Sequence, residues 1–138
     1  MVGGSARLSY RPEYGLIAYL AVSLQRARLE GVELPNSPGI LVSAGMSAPL
    51  ISDRLYAGLE AHLVGPRLAA DLRTEVGAFF LLHLHLFTVQ ILEKLSISAK
   101  VYNLLDSSYG EIPGIERTLV QTVPGPRRTF MLKLDFDW

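Results

Sequence analysis

The sequence has no cysteine and no net charge, with 13 basic side chains balancing 13 acidic ones over 138 residues. Balanced charge gives no nucleic-acid footprint and no electrostatic tether. The lack of cysteine fits passage through an oxidising compartment. A long greasy segment is missing too. The longest uncharged apolar run, Val76 to Leu92, is broken by His83, His85 and Gln90 and is rich in aromatics, which makes it a poor helical span. Yet 49% of the residues are hydrophobic and the mean hydropathy is +0.28, high for a chain with no transmembrane helix. A membrane β-barrel is the class in which a chain is this apolar without one continuous hydrophobic run. Met1-Val-Gly-Gly-Ser5 leads straight into a strand pattern, without a charged n-region or an apolar h-region, so an exported protein would carry further sequence upstream. At this length the chain is one domain at most, or a piece of one.

What is present is alternation. Phe130, Leu132, Leu134, Phe136 and Trp138 are apolar, with Met131, Lys133, Asp135 and Asp137 between them. A side-chain period of two puts the first set on one face of a strand and the second on the other. Such a strand suits a wall with lipid on one side and a wet lumen on the other. Seven segments read this way: Ser5–Arg11, Leu16–Arg28, Ile40–Ala48, Leu55–Val64, Glu75–Thr88, Leu95–Tyr102 and the final nine residues. Short turns (Pro12–Gly15, Ile51–Arg54, Glu93–Lys94) alternate with longer loops, the longest running from Asn103 to Pro126 with three of the eight prolines. Soluble strands average about 5–6 residues, whereas a tilted membrane-spanning strand needs about 9–11. Most of the segments fall in the longer class. A soluble sandwich or lipocalin-like barrel explains the alternation but not the strand length or the terminal aromatic.

Three stretches carry a family resemblance. Val101-Tyr-Asn-Leu-Leu-Asp106, followed by Tyr109-Gly110, resembles the "V-x-N-L-F-D-x-x-Y" segment near the end of TonB-dependent outer-membrane receptors. Pro124-Gly-Pro-Arg-Arg-Thr-Phe-Met-Leu132 is similar to their "P-G-P-G-R-T-F-x-L" entry to the last strand, and Leu34-Pro-Asn-Ser-Pro38 to an earlier "L-P-N-x-P" loop. The motif positions are thus Asn103, Leu104, Asp106, Tyr109, Gly125, Arg128 and Thr129. Arg127 stands where the family usually has Gly, and Trp138 replaces its terminal Phe. The alternating Phe130, Leu132, Leu134, Phe136 and Trp138 look like the family's C-terminal assembly signal, which implies outer-membrane lipid and the barrel-assembly machinery as partners. The family's plug domain and coupling box have no counterpart here. Its barrel has 22 strands, of which this chain would supply about seven. The physical reading of the motif residues is plainer. Asn103 and Asp106 sit where a strand ends, and both residue types favour turns by bonding nearby backbone. Tyr102 and Tyr109 read as an interfacial girdle, and Arg127-Arg128 as solvated loop charge.

His83-x-His85 puts two imidazoles on one strand face, with His62 on the same face of the preceding strand. A loop centred near Ala70 pairs His62 with Gly77 or Ala78, which leaves the other two on the order of 20 Å away at about 3.3 Å per residue. A metal needs its nitrogens at about 2.0–2.1 Å, so lumen-facing polar residues are the better account of His62, His83 and His85. Nothing resembles a nucleophile–base pair, a phosphate-binding loop or an acid–base carboxylate pair, and neither an enzyme nor a cofactor is expected.

The expectation is therefore an all-β, antiparallel, up-and-down meander of about seven strands over residues 1–138, a segment of a transmembrane β-barrel. The resemblance implies the C-terminal wall of an outer-membrane transporter for scarce solutes of the siderophore or cobalamin type, without its plug. A barrel subunit without transport, completed by another chain, is the alternative. In either case the remaining strands come from elsewhere in the parent chain or from a partner.

Overall fold

The computed structural model describes residues 2–51, 54–89, 94–113 and 121–136. Seven long strands form one antiparallel sheet in chain order: β1 (Val2–Tyr10), β2 (Ile17–Arg26), β3 (Ile40–Ile51), β4 (Leu55–Val64), β5 (Phe79–Thr88), β6 (Leu95–Tyr102) and β7 (Thr129–Phe136). β4 and β6 span the residues that the alternation marks. Elsewhere the ends shift for local reasons. Arg28–Leu29 pair with Val32–Glu33 in a small ladder of their own, so β2 stops at Arg26 rather than Arg28. Glu75–Val76 pair with Arg67–Leu68 in the same manner, so β5 begins at Phe79 rather than Glu75. β3 continues to Ile51 through an irregularity in which Pro49 faces Tyr56 and Ile51 faces Leu55. A bulge is where a strand tolerates proline, which has no N–H to donate. Asp137 and Trp138, Ser52 and Asp53 of one expected turn, and Glu93 of another lie outside the described residues.

The three longer loops, between β2 and β3, β4 and β5, and β6 and β7, leave the same end of the sheet. Each carries a two-residue ladder, the third joining Gly110–Glu111 to Val123–Pro124. The turns at the other end are short; that between β1 and β2 reverses at Gly15, whose φ of 78° suits a residue without Cβ.

Register sorts the side chains, because directly paired residues of an antiparallel ladder share a face. Ser5, Ser23, Leu41 and Val64 begin one face, and Arg7, Tyr19, Ser43, Glu60, His62, His83, His85, Lys100, Tyr102, Lys133 and Asp135 lie on it. The opposite face carries Leu8, Leu20, Val22, Val42, Met46, Leu59, Leu63, Phe80, Leu84, Ile97, Phe130, Leu132, Leu134 and Phe136. Its one charged side chain in the seven strands is Arg26, at the end of β2. On the polar face Tyr19 lies across Gly45, where any Cβ would overlap its ring, and the Arg7 guanidinium sits 4.9 Å from the Tyr19 ring centre. That stack joins β1, β2 and β3.

Among the described residues no second layer covers either face. The chain exposes 9844 Å², where a compact monomer of its 15.2 kDa would expose about 7,100 Å². Leu132 is 68% exposed and Phe130 74% exposed. Among the described residues the buried apolar side chains are Ala27, Ala69 and Val76, all at the long-loop end. A continuous apolar face of this extent far exceeds the few hundred Å² that a soluble monomer leaves open. No helix among the described residues is long and apolar enough to cross a membrane, which says nothing of strands.

β1 and β7 are the two edges of the sheet. An odd number of antiparallel strands makes them run in the same direction, so they cannot meet in an antiparallel seam. Each edge strand presents a row of unpaired backbone groups, costly in hydrocarbon and adhesive in water. The chain by itself is therefore expected not to form a monodisperse closed monomer, and both edges should pair with strands from elsewhere. Cysteines placed by Ser5→Cys and Lys133→Cys should fail to form an intrachain disulfide. A monomer in which that bond forms readily would sink the expectation.

Candidate functional site

The motif residues come together at the long-loop end, and the backbone explains why they are Asn and Asp. Asn36, Asn103 and Asp106 have φ of 52°, 50° and 55°, a left-handed conformation these two residue types tolerate better than most. At the end of β6, Asn103 is buried and fully engaged. Its Nδ2 donates to the carbonyl oxygens of Ser107 (2.8 Å) and Pro126 (3.1 Å), and its Oδ1 accepts the N–H of Ser107 (2.9 Å). Its own N–H donates to Nδ1 of His83 (3.0 Å), while the N–H of Leu104 donates to the Leu82 carbonyl (2.7 Å). The loop after β6 is thus tied both to β5 and to the entry of β7.

Asp106 makes the second tie. Arg127 grips its carboxylate with two hydrogen bonds, Nε to Oδ1 (3.0 Å) and Nη2 to Oδ2 (2.7 Å), and the N–H of Arg128 donates to Oδ1 (2.9 Å). The Arg127 and Arg128 hydrogen bonds hold the Asp106 carboxyl well below the usual carboxylate range. Arg127 is therefore an ion-paired clamp residue rather than free loop charge. In place of the family's glycine it supplies a fork that matches a carboxylate. Thr129, the first residue of β7, donates its hydroxyl to the Arg127 carbonyl (3.0 Å).

Tyr109 and Gly125 form the third tie. The N–H of Gly125 donates to the Tyr109 carbonyl (2.9 Å), and the Tyr109 ring covers Gly125 so closely that a Cβ there would overlap it. The ring also stacks on Phe79 of the polar face, with centroids 4.5 Å apart. Burial raises the Tyr109 hydroxyl above its ordinary value, with Glu111 adding to the shift. Tyr102 likewise lies on the polar face, its ring 5.5 Å from that of His83. The girdle expectation for these two tyrosines is corrected: a girdle would need them on the apolar face.

Sequence reasoning missed Arg67. This buried side chain joins all three long loops, donating from Nε to Asn36 Oδ1 (3.1 Å) and from Nη2 to the Gly110 carbonyl (3.0 Å), with its guanidinium 5.1 Å from the Phe79 ring centre. Asn36 in turn donates its N–H to the Leu68 carbonyl (2.8 Å). Burial lowers the Arg67 guanidinium from its usual value, partly offset by the charge of Glu111. An isolated arginine after Gly65-Pro66 gives no local signal of this role; Asn36, in the third motif, was the available hint.

The histidine expectation needs correcting. The small ladder after β4 keeps the β4/β5 register, so the hairpin tip lies at Asp71–Leu72 rather than Ala70, and His62 pairs with Leu81. The His62 and His83 rings are consequently 5.3 Å apart, not on the order of 20 Å. His85 lies further along β5, with its ring 5.1 Å from that of Phe87. Proximity does not make the pair a metal site. A backbone N–H can only donate, so the Asn103 bond leaves His83 Nδ1 unprotonated and places the proton of the neutral ring on Nε2, where a metal would have to bind. His62 Nδ1 lies 3.2 Å from the Ser43 hydroxyl. Among the described residues no three His, Asp or Glu side chains gather as a ligand set.

No family model matches the sequence, and no curated protein matches it. Solved structures do. The copper transporter OprC superposes with a TM-score of 0.80 over 99% of this chain at 22% identity. The ferripyoverdine receptor FpvA of the Pseudomonas aeruginosa outer membrane gives 0.77 over 97% at 21%. The ferric-catecholate import receptor Fiu of E. coli K12, in its open form, gives 0.63 over 94% at 17%. The fold is that of a TonB-dependent receptor's barrel wall. The chain spans only 23%, 19% and 22% of those three chains, respectively. They are transporters and receptors rather than enzymes.

The clamp should show two different sensitivities. Asn103→Ala orphans buried backbone partners and puts alanine at left-handed φ, so it should destabilise the fold by about 2–3 kcal/mol. Asp106→Ala, at an exposed site, should cost much less. Denaturant unfolding in detergent or lipid would separate them, and equal losses would refute this ranking. The Asp106 tie also has a pH signature. A carboxylate depressed on folding contributes stability above its unfolded value of about 3.9, and that contribution is lost as pH falls toward the lower folded value. The wild-type clamp should hold from neutral pH to about 4 and weaken below it, and Asp106→Asn should remove that acid step.

Proposed function

We propose that this chain forms the C-terminal wall of an outer-membrane transporter of the TonB-dependent receptor type. Its apolar face meets outer-membrane lipid and its polar face, with His62, His83 and His85, lines the lumen. The long-loop end faces outward and the short turns face the periplasm, the usual arrangement of such barrels. The observation that carries the reading is the apolar face running across all seven strands of a one-layer sheet, with Arg26 at a strand end its one charged side chain. The fold likeness and the three interlocked motifs support it. Intact relatives import scarce solutes; copper, ferripyoverdine and ferric catecholate appear in the names of the similar structures. For the protein that contains this wall, a metal chelate of the siderophore class, or cobalamin, is the proposed cargo. The remaining strands come from the parent chain or a partner subunit, and the barrel-assembly machinery reads the signal Phe130, Leu132, Leu134, Phe136 and Trp138.

The facing of β7 tests the lipid assignment. Leu134 pairs with Ile97 on the apolar face, and Lys133 with Ser98 on the polar one. A charge near the bilayer midplane on the lipid side costs about 2–4 kcal/mol. Leu134→Arg should therefore impair folding into lipid vesicles far more than Lys133→Leu. Equal effects would overturn the assignment. Deleting Trp138, or Trp138→Asp, should block surface expression of the polypeptide that carries this wall, because an interfacial aromatic anchors the strand end. Unchanged surface expression would remove Trp138 from the signal.

A further inference from the structure

The start of the long β6–β7 loop hangs on two adjacent residues of β5. Leu104 N–H donates to the Leu82 carbonyl and Asn103 N–H donates to His83 Nδ1, at 2.7 and 3.0 Å. The first bond is insensitive to pH. The second exists only while Nδ1 carries no proton, because an imidazolium has N–H on both nitrogens and would oppose one donor to another. Asn103 is also the residue through which the loop reaches Ser107 and Pro126. It is 2% exposed, so water does not readily replace the lost acceptor.

We propose that His83 is a proton-sensitive strut: its neutral ring holds the loop that follows β6 against β5, and protonation from the polar face releases Asn103 and loosens the loop's hold on Pro126. Histidine is the side chain whose ordinary titration lies near neutrality, at about 6.5. The surroundings make the ring addressable. His83 is directly opposite Glu60 of β4 in the ladder, with His62 of β4 at 5.3 Å between ring centres and Tyr102 of β6 at 5.5 Å. Lys100 of β6 is paired with Glu60 at 3.5 Å, and His85 is the other titratable group of β5 on this face. The Leu82 carbonyl accepts the Leu104 N–H whatever the charge on the His83 ring, so the Asn103 tie alone is proton-sensitive. The strut rests on the proposed function only for which compartment supplies the proton; the bond itself does not depend on the membrane reading.

The test is hydrogen–deuterium exchange on outer-membrane preparations of the polypeptide that carries this wall, read by mass spectrometry and normalised for the intrinsic chemical rate. At about pH 8 the segment Asn103–Ser107 should be protected, and at about pH 5 its protection should fall roughly five-fold or more, while β4 and β6 stay unchanged. His83→Gln keeps an acceptor that does not titrate, so the pH dependence should vanish with protection retained. His62→Gln and His85→Gln should leave it as in the wild type. Equal protection of the wild type at both pH values, or the same acid loss in His83→Gln, would overturn the strut. Loss spread over β4 and β6 would overturn it as well, and that readout needs no variant. Failure of the lipid assignment would appear instead in the Leu134 and Lys133 comparison.

Discussion

A sheet one layer thick has no interior, and that constraint governs everything else in this chain. Each backbone N–H and C=O in a strand finds its partner sideways, in the neighbouring strand, so stability depends on ladders rather than on a packed core. Two environments then replace the two halves of an ordinary core. One face has to be uniformly apolar along every strand, and the other is free to carry charge. The seven strands obey this with a single charged side chain, Arg26, on the apolar side and at a strand end. The same constraint makes the edges decisive, since a ladder that stops leaves a whole row of donors and acceptors unsatisfied.

The long-loop end is organised on a different principle. Here polar side chains do the work that β-ladders do in the wall. Asn103 and Asp106 turn the chain through left-handed conformations and then bind the segment entering β7, while Arg67 reaches from one loop to two others. Tyr109 against Gly125 and Phe79 supplies the apolar part. These ties explain the motifs in mechanical terms. The residues resembling a family signature are those that close loops, and none needs to touch a ligand to be required. Arg127 illustrates the same point from the other side. A departure from the family pattern, it converts a flexible position into a forked ion pair with Asp106.

The wall was legible in the sequence because period-two alternation is a strong signal when one face is apolar throughout. It located β4 and β6 to the residue and sorted His62, His83 and His85 onto one face. Loop geometry was harder. The tip of the β4–β5 hairpin depends on a short ladder and on Asp71 capping the N–H groups of Arg73 and Thr74, and a small error there displaced His62 along its neighbour. Arg67 was invisible because its three partners are brought together only by the meander. Tyr102 and Tyr109 were misplaced because aromatic residues near strand ends suit both an interface and a loop anchor. Facing, not composition, separates the two.

The Arg67 ties have a consequence for the order in which the structure assembles. Each long strand pairs with the strand before it in the chain, so the wall grows by successive hairpins whose loops close locally. Arg67 instead joins residues 31 and 43 positions away, across three loops. The Asn36 tie needs only β3 and β4 paired, but the Gly110 tie has no partner to meet until β4 through β6 are in register, because the loss of chain entropy has to be met first by the hairpins. Arg67 therefore fastens in two stages, first on the β3–β4 hairpin and later across β5 and β6, and its second tie records that those strands have joined rather than starting their assembly.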